Sequence, residues 1–179
     1  MRNLIPTALL VAIAGCTPPA TVQLDDARFA TGSRTMVSNA DASRTYAVNV
    51  DEGTITRIDL GTWQTDVLEV GVEPTRITRA GNTYFVTLRG ERAIAVFQDS
   101  GSGLERLDTI DIGCEPYGIV ANEAGDTLYV TLSQENKTLS LDVDTRQVTG
   151  EWPTPGDPRW VALHPKGNRL YVGAARGGV

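Results

Sequence analysis

The chain has 179 residues, 41% hydrophobic and 21% charged, an ordinary globular composition with room for one domain. A formal net charge of −6 and a pI near 4.8 exclude the basic stripe that nucleic-acid phosphates require. Acidity of this size speaks mainly for solubility.

The chain opens MRNLIPTALLVAIAGC, one Arg ahead of a mostly apolar run over 4–14. That run is too short to span a bilayer and reads as a secretory signal. Its end, Ile13-Ala14-Gly15-Cys16, resembles the lipobox of bacterial lipoproteins, which implies that residues 1–15 are removed and Cys16 becomes the lipidated first residue. Several acyl chains would then anchor the protein stably to a membrane. Thr17 is not the Asp of an inner-membrane retention signal, so the expected location is the outer membrane, on its periplasmic or outer surface. Residues 16–33 are Pro-rich and then polar and read as a tether, with 27–30 as an alternative short strand.

From 34 onward the sequence repeats. Pro74, Pro116 and Pro158 are each 42 positions apart, and each follows an acid and a nearby Gly: GVEP, GCEP and GDP. The runs TYFVTL at 83–88 and TLYVTL at 127–132 match, with TYAVNV at 45–50 and RLYVG at 169–173 as looser copies. Asp59-x-x-Thr62 recurs as Asp142-x-x-Thr145, a pair able to bond its own backbone and reverse the chain. The second copy carries a shortened hairpin at RAGNTYF and an insertion, QDSGSGLER, at 98–106. A period near 42 built from four short strands predicts the blades of an all-β propeller, four-stranded and antiparallel.

LYVTL, TLSLDVDT and the Gly-x-x-Pro joints resemble the YVTN-type β-propeller repeat of bacterial and archaeal envelope proteins, from about residue 33 to the end. Three full repeats are followed by RWVALHPKGNRLYVGAARGGV, the first half of a fourth. Closed propellers have about four to eight blades, so the expectation over 34–179 is an incomplete ring of three and a half blades belonging to a longer protein.

Groups with chemical potential are few. His164 is the one histidine and reads as a turn residue, because no second His or thiolate cluster gives it metal-site company. Cys114 reads as a packing residue. SGSGLER lacks the Lys-Ser/Thr that follows a phosphate-binding loop. No catalytic residue, metal site or cofactor is expected in these residues. The acids before the joint prolines, Glu73, Glu115 and Asp157, fall at equivalent positions of a ring. They would form a rim of carboxylates able to hold a cation or a basic partner, or would each bond backbone amides in the joint. Trp160 and Tyr117 are expected in the core, and Arg76 and Arg159 beside the joint acids.

The expected function is a lipid-anchored binding or scaffold module that meets a protein or small ligand through variable loops. The alternative comes from the resemblance: YVTN repeats are similar to lactonase-like and quinoprotein dehydrogenase-like propellers, which implies a hydrolase or a haem-linked dehydrogenase with its active part beyond these residues.

Overall fold

The computed structural model describes residues 31–101 and 103–176. Cys16, the signal segment and the alternative strand over 27–30 lie outside them. The described residues are all β, in fifteen strands and four antiparallel sheets. The first complete sheet holds β2 (Met36–Ser38), β3 (Arg44–Asn49), β4 (Thr54–Asp59) and β5 (Thr65–Glu69), in sequence order. The second holds β6 (Pro74–Ala80), β7 (Thr83–Leu88), β8 (Ala93–Asp99) and β9 (Leu104–Asp111). The third holds β10 (Pro116–Ala121), β11 (Thr127–Leu132), β12 (Lys137–Asp142) and β13 (Val148–Pro153). In the fourth, β14 (Pro158–Leu163) pairs with β15 (Leu170–Ala174) on one side and with β1 (Thr31–Gly32) on the other. The last residues of the expected tether are therefore paired, and Ser33 continues the contact, its N–H on the Val161 carbonyl at 2.7 Å.

The three joint prolines each begin the first strand of a sheet. Proline suits the place, since a first strand residue can forgo its N–H. First strands pack on first strands, β2 on β6, β6 on β10 and β10 on β14, while β5, β9 and β13 lie at the outer ends of their sheets. This is the radial stacking of propeller blades. No hydrogen-bonded ladder joins the fourth sheet to the first among the described residues, so the ring is open.

Position in the stack explains the hydrophobic pattern. Between two neighbours, both faces of a strand are buried and its sequence stops alternating. Tyr84–Leu88 in β7 and Ala93–Phe97 in β8 are buried without a break. One dry cluster, including Phe85, Ile94, Ile119, Leu128 and Leu132, joins the second and third blades. Another, around Tyr46, Ile55, Tyr84 and Leu88, joins the first and second. The third blade meets the fourth through little more than Val120, Val161 and Leu163. The outer strands β5 and β13 are mostly exposed.

The fold has two unlike ends. At one, β6, β10 and β14 begin and the β7–β8 and β11–β12 hairpins turn; we call this the joint face. At the other lie the turns after the first and third strands, the turn face. There Asp59 Oδ1 accepts the N–H of Thr62 at 2.8 Å and its hydroxyl at 2.9 Å, and Asp142 does the same for Thr145 at 2.7 and 2.8 Å. The aspartate-to-threonine reversals are as expected, and these bonds hold both carboxyls below the ordinary range.

Candidate functional site: the axial end of the joint face

Each joint is built by one backbone device. Glu73, Glu115 and Asp157 adopt left-handed φ values of 51°, 52° and 60°. This turns each carbonyl onto a neighbouring N–H: Arg89 at 3.0 Å, Ser133 at 3.0 Å and Ala175 at 2.9 Å. A non-glycine residue in that region costs about 1–2 kcal/mol, and its recurrence in register at three joints makes it a feature of the fold. The glycines two residues earlier, Gly71 and Gly113, have φ of 133° and 125°. A β-carbon at Gly71 would collide with the Glu91 carboxylate, and one at Gly113 would lie 2.5 Å from that of Glu135.

Those two carboxylates bond the joint amides. Glu91 Oε1 accepts the Val72 N–H at 2.8 Å, and Glu135 Oε1 accepts the Cys114 N–H at 2.5 Å. At the third joint the acceptor is Asn136 Oδ1, on Asp157 N at 2.9 Å. Sequence reading gave this duty to Glu73, Glu115 and Asp157 as an alternative to a carboxylate rim, and did not single out Glu91 or Glu135. The shared pattern Thr-Leu-x-x-Glu, at 87–91 and 131–135, was the signal that could have found them.

A second device sits just inside the joints, where each first strand bulges after its proline. Thr87 Oγ1 accepts the Arg76 N–H at 3.1 Å, and Thr131 Oγ1 accepts the Gly118 N–H at 2.8 Å. This is the physical role of the threonine in the repeated VTL. Thr75 and Thr87 place their hydroxyls 2.7 Å apart and 3.1 and 2.9 Å from the Tyr117 carbonyl on the next blade, so that one proton can bridge the two hydroxyls while the other is donated to that carbonyl. The fourth blade has Gly173 where the second and third have threonine. Trp160 packs over that glycine, whose β-carbon would lie 3.3 Å from the indole. Trp160 is 46% exposed, and Tyr117 is half-buried at the joint face, so neither is the core residue expected.

Around Tyr117 charged groups converge from three blades. Arg76 Cζ lies 5.0 Å from the tyrosine ring centroid and Arg159 Cζ 5.4 Å from it, both within cation–π range. Arg159 grips Asp157 through Nε at 3.1 Å and Nη2 at 2.8 Å. Hydrogen bonding from Arg159 holds the Asp157 carboxyl below its ordinary range against the opposing effect of burial, and the positive fields of Arg159, Arg176 and Arg89 add to it. Arg89 pairs with Glu115 at 3.2 Å. Arg76 Nη1 donates to its neighbour's carbonyl, Thr75 O, at 2.7 Å, and Arg76 has no carboxylate partner among the described residues.

The structure thus separates the three sequence-predicted acids. Glu115 and Asp157 join this arginine cluster, while Glu73 is exposed and makes no side-chain bond or ion pair among the described residues. No three His, Cys, Asp or Glu side chains stand close enough to hold a metal ion among the described residues. His164 lies at the turn face, where its Nδ1 accepts the Lys166 N–H at 3.1 Å, a turn residue as expected. Cys114 is half-buried in the second joint.

No protein-family model matches the chain, and no curated protein matches it in sequence. Among solved structures it is similar to the hydrazine synthase of Kuenenia stuttgartiensis, at 21% identity and a TM-score of 0.73, over 80% of this chain and 42% of that one. It is similar to a periplasmic gluconolactonase of Pseudomonas aeruginosa, at 16% identity and a TM-score of 0.61, over 78% and 47%. The β-propeller domain of Myceliophteria thermophila Cps50 aligns at 12% identity and a TM-score of 0.58, over 78% and 50%. At these identities the likeness concerns the fold, a β-propeller, of which this chain spans no more than half the length of the matched proteins.

Proposed function

We propose that this propeller is a lipid-anchored envelope module that binds a ligand or partner at its joint face and does not itself catalyse a reaction. The observation that carries the reading is the state of the polar groups there. Glu115 and Asp157 are engaged by Arg89 and Arg159, so neither is poised as a base, and the chain's one histidine is at the other face. An enzyme needs acids, bases or metal ligands aimed at a common point. A binding module needs a rigid frame and a surface that differs from blade to blade. The frame here is the blade stack, and the differing surface is Thr75-Arg76, Tyr117-Gly118 and Arg159-Trp160 after the three joint prolines. The anchor through Cys16 and an outer-membrane location rest on the lipobox-like sequence alone.

A second reading, a lactonase-like hydrolase, is favoured by the likeness to a gluconolactonase and to two 6-phosphogluconolactonase-like proteins of Bacteroides. The two readings separate in one assay. The full-length protein, and variants with Glu73, Glu115 or Asp157 changed to Ala, are tested for lactone hydrolysis and dye-linked dehydrogenation. The binding reading predicts no turnover in any of them; robust turnover abolished by those changes contradicts it. Mass spectrometry of the mature N-terminus checks the anchor, with an acylated Cys16 expected and an unmodified Cys16 in a soluble fraction as the contrary result.

A further inference from the structure

The charge of the axial cluster runs against that of the chain. Arg76, Arg89, Arg159 and Arg176 stand with Glu115 and Asp157, four guanidinium groups against two carboxylates, in a protein whose formal net charge is −6. The groups are one cluster: Arg159 lies against both Asp157 and the Tyr117 ring, Arg76 lies against that same ring, and Glu115 is held by Arg89. Two carboxylates neutralise two arginines. The excess falls on Arg76, half-buried with one Nη given to a backbone carbonyl, and on exposed Arg176.

The frame holds this surplus in place. Tyr117 is fixed through its carbonyl by Thr75 and Thr87. Gly118 lets β10 and β14 approach until a β-carbon there would stand 2.6 Å from the Arg159 carbonyl. The guanidinium fork matches carboxylate and phosphate oxygens two at a time, and a stacked guanidinium is already oriented, so less freedom is lost on binding. Unbalanced positive charge concentrates anions there.

We propose that the axial end of the joint face is a binding site for a small, multiply charged oxyanion, a polycarboxylate or a phosphate compound. Arg76, oriented by Tyr117, supplies the oxygen-binding fork, Arg159 offers the edge of its guanidinium that Asp157 leaves unused, and Arg176 adds field. This rests on the reading of the joint face as a binding face and names the ligand chemistry.

The test is a calorimetric titration of the full-length protein with citrate and, separately, inorganic phosphate at low ionic strength. Saturable binding of at least one is expected, weakening with salt, and Arg76→Ala or Arg159→Ala should each reduce affinity about ten-fold or more, as loss of a charge-assisted fork implies. Arg76→Lys keeps the charge without the fork and should still lose most of the affinity. Arg57→Ala, on β4 far from the axis, should leave it within about two-fold. Thermal unfolding of each variant shows that the fold survives, and Arg76→Lys secures the result if Arg159→Ala does not fold. Stronger binding of citrate than phosphate identifies a carboxylate ligand, and the reverse a phosphate compound. No saturable binding of either ion, or binding indifferent to both arginines, overturns the proposal. Turnover in the enzyme assay would contradict the non-catalytic reading while leaving this site standing.

Discussion

The two faces of the propeller are made of similar residues used differently. On the turn face charges are matched where they stand or one to one across blades: Asp59, Asp126 and Asp142 bond the turns in which they stand, Arg44 pairs with Asp99 and Arg146 with Asp108, and Arg79 gives its donors to the carbonyls of Ser38 and Gly81. The open cleft there, about 810 Å³, is lined by Ile77, Ala80, Val120 and Ala121 together with Arg34, Asn39, Arg79 and Asn122. On the joint face the charged residues reach across blades, Arg76 from the second to Tyr117 of the third and Arg159 from the fourth to the same ring. Matched charges make a scaffold, and a surplus of positive charge makes a place where a ligand changes the balance.

The contrast is open to attack first through backbone clearance. At the joint face Gly118→Ala puts a β-carbon 2.6 Å from the Arg159 carbonyl, and overpacking of this kind costs about 3 kcal/mol. At the turn face Gly81, with φ +58°, has nothing within 4 Å of the same added atom. Gly81→Ala should therefore cost only the left-handed strain, about 1 kcal/mol. Urea unfolding of both variants checks the difference, and equal losses would remove the tight approach of β10 and β14 from the account.

A smaller effect is expected from the threonines. Thr131→Val leaves the buried Gly118 N–H without its acceptor, at about 1–2 kcal/mol. Thr145→Val removes an exposed hydroxyl bond on Asp142 and should cost under about 1 kcal/mol. The same unfolding experiment ranks them.

Repetition made the fold legible and hid the site. The 42-residue period, the prolines at Pro74, Pro116 and Pro158, and the paired runs at 83–88 and 127–132 fix strand starts and blade count, because every blade solves the same packing problem. The joint acids caught attention for the same reason. Yet the Glu73 side chain makes no bond to the cluster that Glu115 and Asp157 join, among the described residues, and its repetition follows a left-handed backbone position. Arg76, Tyr117 and Arg159 occupy places that differ from blade to blade, so no period announces them; only stacking brings them together. Trp160 departs from expectation for a related reason: the glycine at 173, where the second and third blades have threonine, lets its ring lie over the bulge at the surface.

The finest distinction is in acid and salt. Hydrogen bonds within their own turns hold Asp59, Asp126 and Asp142 below the ordinary carboxyl value of 3.8, and the Arg159 bond does the same for Asp157. A group whose pKa is depressed by folding stabilises the fold above its unfolded value, and that contribution is lost as pH falls through the folded value. The unfolding midpoint should therefore be flat from neutral pH to about 5 and decline below about 4. Asp142→Asn and Asp157→Asn should each flatten the acid limb slightly. High salt at neutral pH should shrink the Asp157→Asn effect, because ions screen a partly exposed pair, and leave that of Asp142→Asn nearly unchanged. An identical salt response would erase the distinction between an ion pair and hydrogen bonds within a turn.

The central claim, that the joint face and not the turn-face cleft meets the ligand, is tested most directly by NMR titration of the full-length protein with citrate and phosphate, following backbone amides and arginine side chains. The account predicts saturating shifts at Arg76, Tyr117, Gly118 and Arg159, with Gly81 and the turn at 122–125 unmoved. Saturating shifts confined to Gly81, 122–125 and Arg79 would contradict it.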